Sequence, residues 1–170
     1  GGESLNTILA KGQNKLTKIL DILVRFRSRQ EAVACDISMC YNAVKLDPVH
    51  YSYQKYLWNP NLSEDDATEE WVIKTLIYGV RSAGQQTMAA LQLVAEDSIQ
   101  EDPDRRLGAN VLAKDAYMDD IVSSAHTKED VKRIAEDLEA ILGRAGMELK
   151  DFSFSGRSPS DKVSSAGENI

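Results

Sequence analysis

Apolar and polar positions along the chain fall into blocks of helical and strand-like spacing. Between Ser4 and Arg29, Leu16, Ile19, Leu20, Leu23 and Val24 recur at three- and four-residue intervals, predicting a helix with one inward face. Ala32, Val33, Ala34 and Cys35 are small or β-branched and suit a buried central strand that ends at Asp36. Asp47 before Pro48 reads as an N-cap with proline at the first helical position, and an extended pattern from Tyr53 to Trp58 follows. Ser63 to Glu70 is acidic and expected as a solvated loop, and Trp71 to Tyr78 is expected to return as the second strand of a hairpin at the sheet's edge. Gly79 to Gly84 breaks the pattern, and Gln85 to Gln100 is helical with Met88, Leu91, Ala95 and Ile99 inward. Glu101 to Asn110 reads as a polar loop around Pro103 and Gly108.

In the stretch Ala116 to Val122, two adjacent acids, Asp119 and Asp120, are bracketed by strand-forming residues, the pattern of a hairpin with carboxylates at its tip. Thr127 then caps a helix whose stripe is Val131, Ile134, Ala135, Leu138, Ile141 and Leu142, and Gly146 closes it. Met147 to Phe154 returns as a strand, and residues 155–170 form a polar tail with little to bury. Helix, strand, hairpin, helix, acidic hairpin, helix and strand, in that order, describe an α+β fold. Its expected core is a split β-α-β antiparallel sheet, ferredoxin-like, with helices on one face.

The chain has 170 residues, enough for one domain with a real core. Its formal net charge of −7 argues against a domain that grips nucleic acid through a broad basic face, so contact with a polyanion would have to be local or metal-mediated. Arg25, Arg27 and Arg29 sit at a helix end, where the dipole favours cations. Two cysteines, Cys35 and Cys40, make neither a disulfide framework nor a four-ligand zinc site. No apolar run approaches membrane-spanning length, and a reducing, intracellular setting is expected. His50 and His126 read as ordinary surface residues.

Taken singly, Asp36 is commonest as a helix cap or an arginine's partner, and a Tyr-x-Asp-Asp turn is a frequent surface feature. In the split β-α-β arrangement, however, Asp36, Asp119 and Asp120 fall on neighbouring strands. Three converging carboxylates suit two magnesium ions about 4 Å apart, the arrangement that aligns a hydroxyl with an α-phosphate, so the reaction class indicated is nucleotidyl transfer.

The motifs together resemble the palm, with part of the fingers, of reverse transcriptases, most closely those of Bel/Pao long-terminal-repeat retrotransposons. Asp36-Ile37-Ser38-Met39-Cys40-Tyr41 is similar to the first catalytic motif, Tyr117-Met118-Asp119-Asp120 matches the signature hairpin, and Tyr78 to Ala83 resembles the segment lying against template and incoming nucleotide. Ser4-Leu5-Asn6, Leu23 to Arg29 and Gly146 to Lys150 look like flanking blocks, so the resemblance covers about residues 4–156. It implies an N-terminal helical part of the fingers over 1–30, a palm over 31–154 with a fingers-like hairpin at about 53–78, and a flexible tail over 155–170.

The resemblance also assigns roles. Asp36, Asp119 and Asp120 would be catalytic, with Asp36, Asp119 and the Ile37 carbonyl binding two Mg2+ ions, Mn2+ substituting, and Asp120 in support. Tyr41, Gly79 and Ser82 would meet the nucleotide, Tyr41 by filling the space a ribose 2′-hydroxyl needs. Tyr117 and Met118 would lie near the primer end, and Lys150 would aid the leaving group. The implied partners are an RNA or DNA template, a DNA primer and dNTPs, with thumb and ribonuclease H regions beyond these residues and no membrane. The implied location is the cytoplasm, in virus-like particles, or the nucleus. Gly84, Gln85 and Gln86 stand where the pattern commonly has proline. The acidic balance and the lack of thumb and basic fingers motivate a second expectation, a degenerate or domesticated palm that serves as a non-catalytic scaffold.

Overall fold

The computed structural model describes residues 2–60 and 68–156. Its centre is β1 (Glu31–Ser38), whose burial alternates so that Val33, Cys35 and Ile37 enter the core while Ala32, Ala34, Asp36 and Ser38 stay half-exposed on the opposite face. The strand order is β4 (Ala116–Tyr117), β5 (Asp120–Ala125), β1 and β6 (Glu148–Leu149), with β7 (Ser153–Phe154) also paired to β1, and every pairing is antiparallel. Residues of α4 (Ala83–Glu101), α5 (Arg106–Asp115) and α6 (Lys128–Arg144) share one core with β1 and β5, including Met88, Leu91, Leu112, Ile134, Leu138 and Leu142. An antiparallel sheet layered with helices is the α+β arrangement expected.

Local chemistry explains the helix ends. Thr127 Oγ1 accepts from the Asp130 amide at 3.1 Å, Glu129 and Asp130 occupy the first turn of α6, and Gly146 closes it with φ +72°. Asp47 caps a 3-10 turn over Pro48–Tyr53 by accepting from the Val49 amide.

Four expectations need correction. The N-terminal stretch is not one helix but two, α1 (Leu5–Ile8) and α2 (Ile19–Phe26), with Gly12 at φ +80° between them. Ile22 is the buried residue of α2, whereas Ile19, Leu20, Leu23 and Val24 are exposed. A nearly continuous apolar run puts such residues all round a helix, so periodicity does not select the inward face.

The hairpin of β2 (Lys55–Trp58) and β3 (Glu69–Val72) forms its own two-stranded sheet instead of the main sheet's edge. The hairpin contact runs one step past Val72, where Ile73 donates to Gln54, and the backbone then meets another segment: Leu46 donates to Lys74 and Leu76 to Val44. Glu69 and Glu70 therefore lie in a strand, Glu70 paired with Lys55 at 2.6 Å, while 63–67 of the predicted acidic loop lie outside the described residues.

The predicted loop over 101–110 is largely helical, comprising a 3-10 turn at Pro103–Arg105 and the start of α5. Gly108 reads as a breaker but serves helix packing. A Cβ there would stand 2.3 Å from the Asp137 Cβ on α6, and the Gly108 amide donates to Asp137 Oδ2 at 3.1 Å.

The final predicted strand is split. β6 pairs Ile37 with Leu149, and β7 pairs Ala34 with Ser153, so Lys150, Asp151 and Phe152 oppose only Cys35 and Asp36. That extra residue is a β-bulge beside the acids. Of the predicted tail, 157–170 lie outside the described residues.

Gly108→Ala forces α5 and α6 apart at backbone as well as side-chain atoms. It is expected to cost about 3 kcal/mol, read as a lower urea midpoint at unchanged slope.

Candidate functional site

The acids meet through strand register. Asp36 is the direct partner of Asp120 across β1 and β5, and the Ile37 amide donates to the Asp119 carbonyl at 2.7 Å. Directly opposed residues share a face, so Asp36 and Asp120 both lie on the side of the sheet turned from the helical core. On the other flank, the Lys150 amide donates to the Asp36 carbonyl at 2.8 Å, and the Lys150 ammonium stands 2.8 Å from Asp36 Oδ1. Asp120, Asp36 and Lys150 thus form a row across three strands, acid, acid, base.

The electrostatics follow from that row. The Asp120 carboxyl is pushed above its ordinary range by burial first, then by Asp119 and Asp36, with Lys150 pulling the other way. Lys150 is raised by its contact with Asp36 and by the negative charge of Asp36 and Asp119. Asp36 Oδ1 is shielded from water and makes no directed hydrogen bond, its charge being met by the lysine.

The hairpin tip is strained. Tyr117 pairs with Asp120, leaving Met118 and Asp119 as a two-residue turn in which Met118 has φ +60°, a conformation that glycine or asparagine normally supplies. Contacts on each side hold it: its amide points at Met88 Sδ, 3.2 Å away, its carbonyl is 3.9 Å from Cys40 Sγ, and its own sulfur is 3.9 Å from the Tyr41 hydroxyl. Gly84 makes this possible, since a Cβ there would lie 3.0 Å from Met118 Cε and 3.7 Å from the Tyr41 oxygen.

Tyr41 is 7 % exposed and packs with Leu76 and Ala83, its ring centroid 4.3 Å from that of Tyr78. Burial first, then Tyr78 and Asp119, raise its phenol. Gly79 takes φ +87° in the turn that follows Tyr78. The Ser82 hydroxyl accepts from Gln86 Nε2 at 2.8 Å. The residues read from sequence therefore lie along one connected tract, from Lys150 and Asp36 through the hairpin to Tyr41 and the Gly79 turn.

Two contributors had escaped the sequence reading. Tyr78 was noted only as part of a motif. Asn6 bonds the Gly79–Arg81 turn through its carboxamide, a contact spanning 73 residues that leaves no local spacing signal. Arg25, expected only to favour a helix end, is anchored: Nε meets the buried Asp115 at 2.6 Å, and Asp115 also accepts from Ser123 at 2.6 Å.

For a divalent ion, the fit is one of donor chemistry. Among the described residues no group of three or more His, Cys, Asp or Glu side chains is gathered as a ready metal cluster. The carboxylates of Asp36 and Asp120 are hard oxygen donors of the kind magnesium takes, and the Lys150 ammonium meets the charge of Asp36.

No protein-family profile matches the chain, and no curated protein matches it. Among solved structures it is similar to a foamy viral protease-reverse transcriptase determined in complex with an RNA/DNA hybrid, with a TM-score of 0.56 and 20 % identity over 79 % of this chain. The chain spans 15 % of the length of that structure's chain. The likeness establishes the class of fold: α+β, reverse-transcriptase-like. Among the described residues no helix is long and apolar enough to cross a membrane.

The two thiols flanking Asp36 yield a test of the packing. Burial first, with Asp36 among the charges, pushes both Cys35 and Cys40 up to about 12. They are expected to resist alkylation at pH 8 until the chain is unfolded. Because the folded state holds these protons beyond the ordinary thiol value of 9.0, stability should fall as pH rises from 9 toward 12, measured by urea titration against a Cys35→Ala control.

Proposed function

We propose that this chain is the palm of an RNA-directed DNA polymerase that extends a DNA primer with dNTPs, of the Bel/Pao type that its motifs resemble. The observation that carries the reading is the β1–β5 register, which sets Asp36 opposite Asp120 and ties Ile37 to Asp119. The fold likeness supports it independently of the motifs.

On this reading Asp36 and Asp119 hold two Mg2+ ions, or Mn2+ in their place, with the Ile37 carbonyl as a further ligand and Asp120 in support. Bound there, the ions would supply Lewis-acid activation of the primer hydroxyl and offset charge on the departing pyrophosphate. Lys150, whose ammonium stands 2.8 Å from Asp36 Oδ1, would aid the leaving group. Tyr41, whose hydroxyl lies 3.9 Å from Met118 Sδ, would exclude the ribose 2′-hydroxyl by steric contact, and Tyr117 and Met118 would lie near the primer end. Template, primer and dNTP are the partners, and most phosphate contacts come from basic fingers and a thumb outside these residues.

Primer extension on an RNA template with Mg2+, by a polypeptide that adds those regions, should drop at least a thousandfold on Asp119→Asn, since one member of a preorganised charge-stabilising set is lost. Undiminished extension sinks the proposal. The scaffold alternative is separated by calorimetry on the chain itself: Mn2+ binding is expected and should vanish on Asp36→Ala, whereas a scaffold has no need of it.

A further inference from the structure

The turn that follows Tyr78 is anchored from the opposite end of the chain. Asn6 Nδ2 donates to the Gly79 carbonyl at 2.6 Å, its Oδ1 accepts from the Arg81 amide at 2.8 Å, and its own carbonyl faces Arg81 Nη1 at 3.4 Å. One planar carboxamide thus spans both arms of the turn, donating on one side and accepting on the other. Few side chains can do this; an aspartate retains only the acceptor and an alanine neither.

Tyr78, immediately before the clamp, is 64 % exposed, yet its ring lies against Tyr41 at 4.3 Å and 45°. Tyr41 is fixed beneath by Leu76 and Ala83 and at its hydroxyl by Met118. Tyr78 packs against the same ring. A ring that screens for one additional oxygen atom discriminates only as well as its position is held, and the exposed Tyr78 cannot hold it unless its own backbone is fixed.

We infer that Asn6 is a positioning residue for sugar selection: it clamps the Gly79–Arg81 turn so that Tyr78 buttresses Tyr41 at the nucleotide site. This deepens, and rests on, the reading of Tyr41 as the residue that excludes ribonucleotides. On this inference Asn6 acts through the Gly79–Arg81 turn and Tyr78 acts through Tyr41.

The first measurement is amide hydrogen exchange on the chain itself. Asn6→Ala should speed exchange of the Arg81 amide, and Asn6→Asp should leave that amide protected because a carboxylate still accepts its hydrogen bond. The second is steady-state incorporation by the polymerase containing this chain. Asn6→Ala should lower the dNTP-to-rNTP preference about tenfold, with the loss carried by KM for the dNTP more than by kcat. Tyr78→Leu should reproduce the lost preference without altering Arg81 exchange, and Tyr78→Phe should restore it. Unchanged Arg81 exchange in Asn6→Ala overturns the clamp, and faster exchange with intact sugar preference overturns its role in selection. If extension survives Asp119→Asn, it is the polymerase reading that fails, and the exchange result still reports on the clamp by itself.

Discussion

The antiparallel pairing of β1 with β5 is the constraint on which the rest of the molecule depends. The side-chain period of a strand is two, so a slip of one residue would send Asp36 into the helical core and bring Val33, Cys35 and Ile37 out to solvent. Burial of those three residues therefore locks Asp36 and its partner Asp120 onto the open face. Apolar packing on one side of the sheet sets the chemistry on the other.

That placement has an electrostatic cost. Burial first, then the charges of Asp119 and Asp36, push the Asp120 carboxyl up, and the ammonium of Lys150 pulls it the other way. The β-bulge after Lys150 belongs to the same solution. It keeps Lys150 opposite Asp36 while shifting the remainder of the strand by one residue, so that Phe152 is buried and Phe154 pairs with Val33.

The helical layer supports the hairpin tip from behind. α5 approaches α6 closely enough that only glycine fits at residue 108, and the last residue of α5, Asp115, is tied to Arg25 and Ser123 before the chain enters β4. Met118 can then be held at positive φ by Met88, Cys40 and Tyr41, and Gly84 leaves the room it needs. Strain at this tip is maintained by packing on several elements at once. The same cluster connects the acids with Tyr41 and, through Tyr78, with the turn held by Asn6.

Local signals in the amino-acid sequence were enough for the elements that carry their own pattern. The six-residue stripe and Thr127 cap of α6, the inward face of α4, the Asp47 cap and the acidic hairpin were all legible, because periodicity and capping act within a few residues. The acids and the glycine turn could also be singled out, since each breaks a local pattern, and Tyr41 through the resemblance of its motif. Tertiary structure decided what no window contains. Gly108 reads as a breaker until α6 lies against it, and the all-round apolar α2 turns only Ile22 inward. The hairpin at 55–72 forms its own sheet, and the backbone beyond Ile73 meets another segment. Lys150 meets Asp36, and Asn6 meets Gly79, across separations that spacing does not encode: a hydrogen bond or ion pair depends on distance in space, and the chain fixes that distance only once its core has closed.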